Sequence, residues 1–476
     1  MEVQGEDWHG MQEGADIKSQ SEMIAPYQVM NSTGGYVYET DHETRLMRFL
    51  SLGVEGGTYY TGEKELKRGN AQVIDRLIMT GKGEKAVKII REFSVAGRTA
   101  KQDTIIFALA LCCRSNDAKT KEAAYKALPD VCRIPTHLFQ FIKFCEEESG
   151  TGTGWGRAHR KGINRWYNGY KDKPDGYRLL VLHATKYKAR HGWSHKDVIR
   201  LGHVKPVDHV LTYILSWIVK GPKKTKEIHS YMFNRPDFEQ TLKAAINLLE
   251  ATEKAIKCTK EEEMTKLIID HNLTREHVPT ELLKSKEIWL ALLRHMPMTA
   301  MIRNLGKMTS LNLLEVGSFG EELVVQKLND ELLLKKARIH PFNMLVALYQ
   351  YQKGQGELGK LKWTTNHNVA QALEEGFYKS FKFSESTKKR FLLAVDVSGS
   401  MNVPVIGTPT ISARDAAAAM MMVTARNEAN FEIVAFSGNP SKTGNRSHRF
   451  FGFGSEQNIF SAVLWDGLLQ TDVICH

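Results

Sequence analysis

Asp396, Ser398 and Ser400 form a D-x-S-x-S string directly after the apolar run Phe391-Leu-Leu-Ala-Val395. At the C-terminal end of a strand this spacing gathers one carboxylate and two hydroxyls about a point. These are hard oxygen donors, suited to Mg2+ or another oxygen-seeking divalent cation that keeps positions for water or a partner's carboxylate. The plainer alternative is a turn in which Asp and Ser side chains bond nearby backbone. A second chemistry lies in residues 157–206, where thirteen Lys and Arg meet three acids, Asp172, Asp175 and Asp197. The whole chain has a net charge of +11, so one tenth of it holds nearly all the excess, and such a patch attracts polyanions. Arg157, Lys161 and Arg165 recur at four-residue intervals, one face of a helix. Lys186 and Arg190 repeat the interval on a later helix, and Lys196, Arg200 and His203 follow on the next.

Aromatic residues interleave with these cations: Trp155, Trp166, Tyr167, Tyr170, Tyr177, Tyr187 and Trp193. Cations neutralise phosphates and release counterions, while exposed rings stack on unpaired bases. Large rings are buried on average, so most of these are expected in the core. A solvated basic face is the bland reading of any single cation, but the surplus as a whole points to a polyanion. The segment lacks the one-sided apolar face of a membrane-lying helix, which ranks lipid below nucleic acid. No G-x-S-x-G elbow, P-loop or H-E-x-x-H string occurs, and the three acids among the cations show no paired arrangement. The expectation is therefore a protein that is not an enzyme. Gly150-Thr-Gly-Thr-Gly154-Trp-Gly156 follows no strand and reads as a loop rather than a phosphate cradle.

The elements that must position these groups are of two kinds. From Thr44 to about Lys382 short amphipathic segments recur: Gln72–Met79, Lys85–Phe93, Thr104–Cys113, Lys119–Cys132 and Thr136–Phe144. Gly81-Lys-Gly83, Gly97, Asn116-Asp117 and Ile134-Pro135 punctuate them. Segments this short are unstable alone, and stacking antiparallel pairs into a solenoid would bury their faces. An ordinary all-α globule fits the same helix lengths. Near Phe391 the pattern changes: a continuous apolar run, as for a strand buried on both faces, a turn at 396–401, a helix over 412–427 and a second strand over Phe431–Phe436. Ala416–Val423 is the buried face of that helix. The chain is thus read as a polar, disordered leader over 1–35, a helical module over 36–385 and an α/β unit over 386–476. Six scattered cysteines without metal spacing read as small hydrophobes in a reducing compartment. With no secretory signal and no long apolar span, a cytoplasmic or nuclear protein is expected.

Several longer strings resemble one family. Val54-Glu-Gly-Gly-Thr-Tyr-Tyr60, Cys132-Arg-Ile-Pro-Thr-His137, Gly192-Trp-Ser-His-Lys-Asp197, Asn304-Leu-Gly-Lys-Met308, Lys336-Ala-Arg-Ile-His-Pro-Phe342 and Arg390-Phe-Leu-Leu-Ala-Val-Asp-Val-Ser398 are similar to strings of the 60-kilodalton Ro (SS-A) ribonucleoproteins, in the same order, from about Gly35 to Ser437. The resemblance implies a mainly α fold, a TROVE module of HEAT-like helical repeats closed into a ring, followed by an α/β von Willebrand factor A-like domain. It also implies a monomer that binds small noncoding Y RNA on its outer surface. Ends of misfolded noncoding RNAs would thread the central hole, in RNA quality control. The family's basic outer positions fall on Lys186, Arg190 and His203, and its metal motif on Asp396, Ser398 and Ser400. Thr471, followed by Asp472, is the candidate for the family's threonine loop, and protein partners would reach the A-like domain through the cation. The segment after Phe436 diverges from the family, and such a domain takes roughly 180 residues, so residues 386–476 are expected to form an incomplete one.

Overall fold

The computed structural model describes residues 22–23, 25–31, 34–55, 66, 68–99, 101–149, 154–234, 240–357, 359–405, 408–439 and 447–452. The chain divides into two compact units, Met1–Ala245 and Ile246–His476. Within the stretch read as a leader, Gln28–Met30 (β1) pairs antiparallel with Tyr36–Tyr38 (β2). The expectation of disorder there is corrected for these residues: the two short runs pair as a hairpin, and the Asn31 amide donates to the Gly35 carbonyl at 2.8 Å.

The first unit is built from helices α1 (His42–Leu52), α2 (Gln72–Met79), α3 (Gly83–Ala96), α4 (Gln102–Arg114), α5 (Ala118–Val131) and α6 (Pro135–Glu147). The amphipathic segments and their punctuation reappear here as helices and caps. Gly97 closes α3 in the left-handed conformation, Asp117 caps α5 by accepting from the Thr120 amide at 2.7 Å, and Pro135 opens α6 at its first turn. Helix α3 packs on α5 and α4 on α6. Successive hairpins therefore stack, and α4 is enclosed, with every residue from Thr104 to Cys113 buried. The stack continues through α7 (Arg157–Asn168), which packs on α5. Then follow α8 (Gly176–Lys186), the strands β3 (Ala189–Arg190) and β4 (Trp193–Ser194), α9 (His195–Leu201), α10 (His209–Lys220), α11 (Pro222–Ile228) and the start of α12 (Gln240–Lys257). Cys112, Cys113, Cys132 and Cys145 are buried and unpaired, as small hydrophobes are, and Cys258 in the second unit likewise; Cys475 lies outside the described residues.

The second unit holds α13 (Glu261–His271), α14 (Lys286–His295), α15 (Met298–Ser310), α16 (Phe319–Asn329), α17 (Glu331–Ala337), α18 (Pro341–Gln352) and α19 (His367–Ser380). Its buried polar link is Glu321 on α16, which accepts from Asn366 and Asn368 at the start of α19, each at 2.8 Å. Those bonds satisfy a carboxylate that is otherwise costly to bury. The α/β segment follows: β5 (Arg390–Asp396), the hairpin of β6 (Pro404–Val405) and β7 (Thr408–Ser412), α20 (Ala413–Asn427), β8 (Asn430–Asn439) and β9 (Ser447–Gly452). Strand β5 runs parallel to β8, with Val395 opposite Ala435, and β9 joins β8 antiparallel. Ser412 and Asp415 form a capping box that starts α20, whose Ala418, Ala419, Met421, Met422 and Val423 are buried. The mainly α fold with a C-terminal α/β domain is as the residues indicate. The apolar run of β5, expected to be covered on both faces, is covered on one. Among the described residues no helix is long and apolar enough to cross a membrane.

Candidate functional site

The basic segment is held on a dense aromatic base. Helix α7 buries His159, Gly162, Ile163, Trp166 and Tyr167 and leaves Arg157, Arg160 and Lys161 exposed. Gly162 is required by close approach: a Cβ there would lie 2.6 Å from the Tyr125 ring of α5. Trp166, 1 % exposed, donates its indole N–H to the Cys132 carbonyl and sits edge-on to Tyr167 and Tyr170. Trp155 is buried as well, while Tyr177, Tyr187 and Trp193 are half-covered, so the core reading of the rings holds for most of them. Two of these rings, and Tyr125 of α5, bond imidazoles: Tyr125 to His159 Nδ1 at 3.2 Å, Tyr167 to His195 Nδ1 at 2.8 Å and Tyr170 to His183 Nδ1 at 2.7 Å. Burial pushes His159 and His195 down to about 3 and His183 down to about 4, so all three are neutral at pH 7.

Two asparagines on α7 fix the surface above. Asn164 donates to the Gly202 carbonyl at 2.9 Å and accepts from the Lys205 amide at 2.8 Å. Asn168 donates to the Lys205 carbonyl at 2.9 Å and accepts from the Val207 amide at 3.1 Å. They tie the loop after α9 against α7, so exposed His203 and Lys205 stand beside the stripe that carries Arg160. Neither Arg160 nor Lys205 stands out in sequence, where the four-residue spacing selects Arg157, Lys161 and Arg165. Of that trio, Arg165 is half-buried and donates to the Tyr125 carbonyl at 3.2 Å. Glu122 of α5, bonded to Lys126, also feels Lys161 and Arg165.

The helical placement of two predicted groups is corrected. Lys186 ends α8, its ammonium 5.2 Å from the Tyr187 ring centre, but Arg190 lies on β3. The apparent four-residue interval is broken at Tyr187, where α8 ends, and Arg190 then enters a hairpin whose two-residue loop, His191 (φ 53°) and Gly192 (φ 82°), has both central residues at positive φ. Lys196 and Arg200 do share α9, one turn apart and exposed. His203 lies past that helix, where Gly202 ends it and His203 turns left-handed at φ 46°. Among the described residues no carboxylate comes within 4.0 Å of Arg157, Arg160, Lys161, Arg190, Lys196 or Arg200; the ion pair formed within the segment is Lys171 with Asp172 at 3.3 Å. These six cations are therefore presented to solvent without a carboxylate partner among the described residues.

A further concentration of cations was invisible to charge counting. In the second unit a cavity of about 970 Å3 is lined by Arg275, Lys284, Arg303, Lys307 and Arg338, with Glu357 the one carboxylate among its lining residues. Lys284 pairs with Glu281 at 3.1 Å, whereas no carboxylate lies within 4.0 Å of Arg275, Arg303 or Lys307 among the described residues. Trp363, Ile302 and Val346 add apolar wall. Two of the family-like strings, at 304–308 and 336–342, contribute to this lining.

Asp396, Ser398 and Ser400 meet at the C-terminal end of β5, where Val397 bonds the Phe436 carbonyl of β8 at 3.0 Å. Ser398 Oγ and Ser400 Oγ are 2.9 Å apart, and Asp396 Oδ1 accepts from the Ser398 amide at 2.9 Å. Two adjacent oxygens of an octahedral cation with ~2.1 Å bonds stand about 3 Å apart, so the hydroxyl pair fits one ion. Among the described residues no group of three or more His, Cys, Asp or Glu could hold a metal. Thr471 lies outside the described residues.

Stacked helical hairpins followed by a strand, a D-x-S-x-S turn and a helix define a class, that of TROVE-domain proteins carrying an A-type domain. Residues 29–350 match the TROVE domain and residues 390–448 the Ro60 vWA domain. The chain is 35 % identical over 480 residues to "RNA-binding protein RO60" of Caenorhabditis elegans, covering 88 % of this chain and 73 % of that protein. It is 32 % identical over 426 residues to the protein of the same name from Deinococcus radiodurans, covering 88 % and 75 %. The crystal structure of the Deinococcus radiodurans RO (RSR) protein superposes with a TM-score of 0.70 at 30 % identity, over 89 % of this chain and 79 % of that one. The chain belongs to the RO60 family.

Proposed function

We propose that this chain is a non-catalytic RNA-binding scaffold of a small cytoplasmic ribonucleoprotein. The observation that carries the reading is the run of six exposed cations on α7, β3 and α9 with no carboxylate in reach among the described residues. The name of the relatives in the worm and the bacterium, an RNA-binding protein, supports the polyanion being RNA. Arg190, Lys196, Arg200 and His203, with Lys186, hold the phosphates of a folded Y-type noncoding RNA. Arg157 and Arg160 extend that contact on α7, and Lys161 and Arg165 serve at its margin, beside Glu122. The helical hairpins are read as HEAT-like repeats of a ring, and single-stranded ends of misfolded RNAs enter its hole. The cavity with Arg303, Lys307 and Trp363 supplies cations for phosphates and a ring for a base, which suits such an end. A gel-shift titration with a structured Y-type RNA tests the outer surface. Replacing Arg190, Lys196 and Arg200 together by Ala is expected to weaken binding roughly a hundredfold at ~0.15 M salt; unchanged affinity would refute the assignment.

A second reading rests on the 2.9 Å hydroxyl pair. Asp396, Ser398 and Ser400 hold Mg2+, which when bound supplies a Lewis-acidic position for a carboxylate of a protein partner. Asp396 orients the turn through the Ser398 amide, and the serines provide neutral donors that leave the ion its charge. Asp396→Ala should abolish Mg2+ binding in equilibrium dialysis while RNA affinity stays within twofold. Equal Mg2+ uptake by both proteins would remove this reading.

A further inference from the structure

The cavity in the second unit, about 970 Å3, has the size of a small-ligand site, at the top of the ~300–1,000 Å3 range that such sites span. Helix α15, which packs on α17 and α18, gives it Arg303, Asn304 and Lys307. Arg303 and Lys307 stand one turn apart on one face, and no carboxylate among the described residues reaches either within 4.0 Å. Asn304 donates its Nδ2 to the Ala300 carbonyl at 2.7 Å, which fixes the amide and leaves Oδ1 as an acceptor. Trp363 lies against α15 at Gly306, where a Cβ would meet three carbons of its six-membered ring at 2.6–2.8 Å. Its indole N–H donates to the Tyr351 carbonyl at 2.9 Å, and the two rings are stacked with centres 6.2 Å apart. The half-buried indole is thereby pinned before a ligand arrives, which lowers the cost of binding one.

A further cation of the wall is held at a conformational cost. Arg338 closes α17 at φ 51° and ψ 44°, the left-handed region in which helices usually place glycine. Strain of this kind persists where the side chain is used, and this one lines the cavity. We propose that the cavity is a binding site for a free nucleoside monophosphate. Its base stacks on Trp363, its phosphate lies among Arg303, Lys307 and Arg338, and a base amine or ribose hydroxyl donates to Asn304 Oδ1. The inference rests on the reading of this cavity as a place for a base and its phosphate, and it names a different occupant. Charge selects that occupant. A terminal phosphomonoester carries about two negative charges near neutral pH, whereas each phosphate within a strand carries one. Arg275, Arg303, Lys307 and Arg338 face Glu357 alone among the lining carboxylates, so the doubly charged group matches the wall better. A sugar phosphate would use the cations without the ring, and an apolar ligand the ring without the cations. A nucleotide uses both.

Calorimetric titration of the full chain with adenosine 5′-monophosphate tests the site. One molecule should bind per chain with a Kd of about 10–100 µM. Adenosine or ribose 5-phosphate, each lacking half of the contact, should bind roughly tenfold more weakly or worse. Arg338→Gly removes a cation and gives the left-handed position the residue that suits it, so the fold is spared while affinity falls about tenfold. Arg303→Ala, at an exposed position, should act in the same direction, and Trp363→Phe should keep part of the affinity that Trp363→Ala loses. Replacing Arg190, Lys196 and Arg200 by Ala should leave the titration as it was. Nucleotide binding that survives both Arg338→Gly and Arg303→Ala, or ribose 5-phosphate binding as tightly as the nucleotide, would overturn the proposal. So would a chain that takes up no nucleotide yet binds a single-stranded adenylate decamer through Arg303; the cavity would then hold an RNA end, and the proposed function would stand. Failure of both nucleotide and decamer to bind would remove the cavity from either reading.

Discussion

Lowering the pH from 7 to 5 is expected to destabilise the first unit by about 4 kcal/mol, a fall in Tm of roughly 10 °C. That much comes from the pair of fully buried imidazoles beneath the basic surface, and His183 and His137, which burial pushes down to about 4, add to the loss in the same direction. His159 and His195 are 1 % and 2 % exposed, and burial lowers each to about 3. In the unfolded chain they titrate near ~6.5. Their contribution is therefore fully present above that value and is lost progressively as the pH falls from there towards 3. At pH 5 each has lost about 2 kcal/mol, from ~1.5 pH units at ~1.36 kcal/mol per unit. Geometry gives the same sign. Each ring bonds a tyrosine hydroxyl at Nδ1, and its Nε2 is buried without a partner among the described residues. Protonation would leave an N–H of a charged ring without an acceptor. Melting curves across this range check the expectation, and a His159→Gln, His195→Gln variant should show a much flatter profile. An unchanged Tm for the native chain between pH 7 and 5 would mean that these rings are not buried as described.

Trp166→Ala should be the most damaging single truncation in the basic segment, at about 3–5 kcal/mol for a buried indole. The ring fills the space between α7 and the residues around Cys132, and Tyr167 and Tyr170 pack on its edges. Its loss removes apolar contact, leaves the Cys132 carbonyl unsatisfied and loosens the helix that holds Asn164 and Asn168. Because those asparagines fix residues 202–207, RNA affinity should fall along with stability even though the indole touches no solvent. Arg157→Ala, on the exposed face of the same helix, should change stability by no more than ~0.5 kcal/mol. Chemical denaturation of the two variants separates the cases, and equal midpoints would contradict the packing.

Much of this organisation is legible in the residues because helix punctuation is local. Gly97, Asp117 and Pro135 act through their own backbone geometry or through an amide three residues away, so their effect survives without knowledge of the tertiary fold. The run of β5, the turn at 396–401 and α20 are legible for the same reason. Spacing misleads where two elements meet. Lys186 and Arg190 are four apart, as on a helix, but α8 ends at Lys186 and Arg190 sits in the first strand of the hairpin turned by His191-Gly192; that glycine was the available signal. Gly202 likewise separates His203 from the helix of Lys196 and Arg200. The clustering of Arg275, Arg303, Lys307 and Arg338 depends on α15, on the segment before α14 and on the end of α17 coming together. No window of sequence contains that information. The open face of β5 was illegible as well, since an apolar run reports what a strand prefers and not what covers it.

The salt dependence of RNA binding tests the central claim most directly, because counterion release counts the phosphates that the protein neutralises. Affinity for a Y-type RNA, measured from about 50 to 300 mM KCl, should fall linearly on logarithmic axes for the native chain. Replacing Arg190, Lys196 and Arg200 by Ala should reduce the magnitude of that slope by roughly two to three. Replacing Lys85, Lys88 and Arg91, whose charges already face Glu43, Glu92 and Asp130 on the same unit, should leave the slope as it was. Equal slopes for the native chain and the Arg190, Lys196, Arg200 variant would contradict the account, since the unpaired cations above the Tyr–His base would then hold no phosphate.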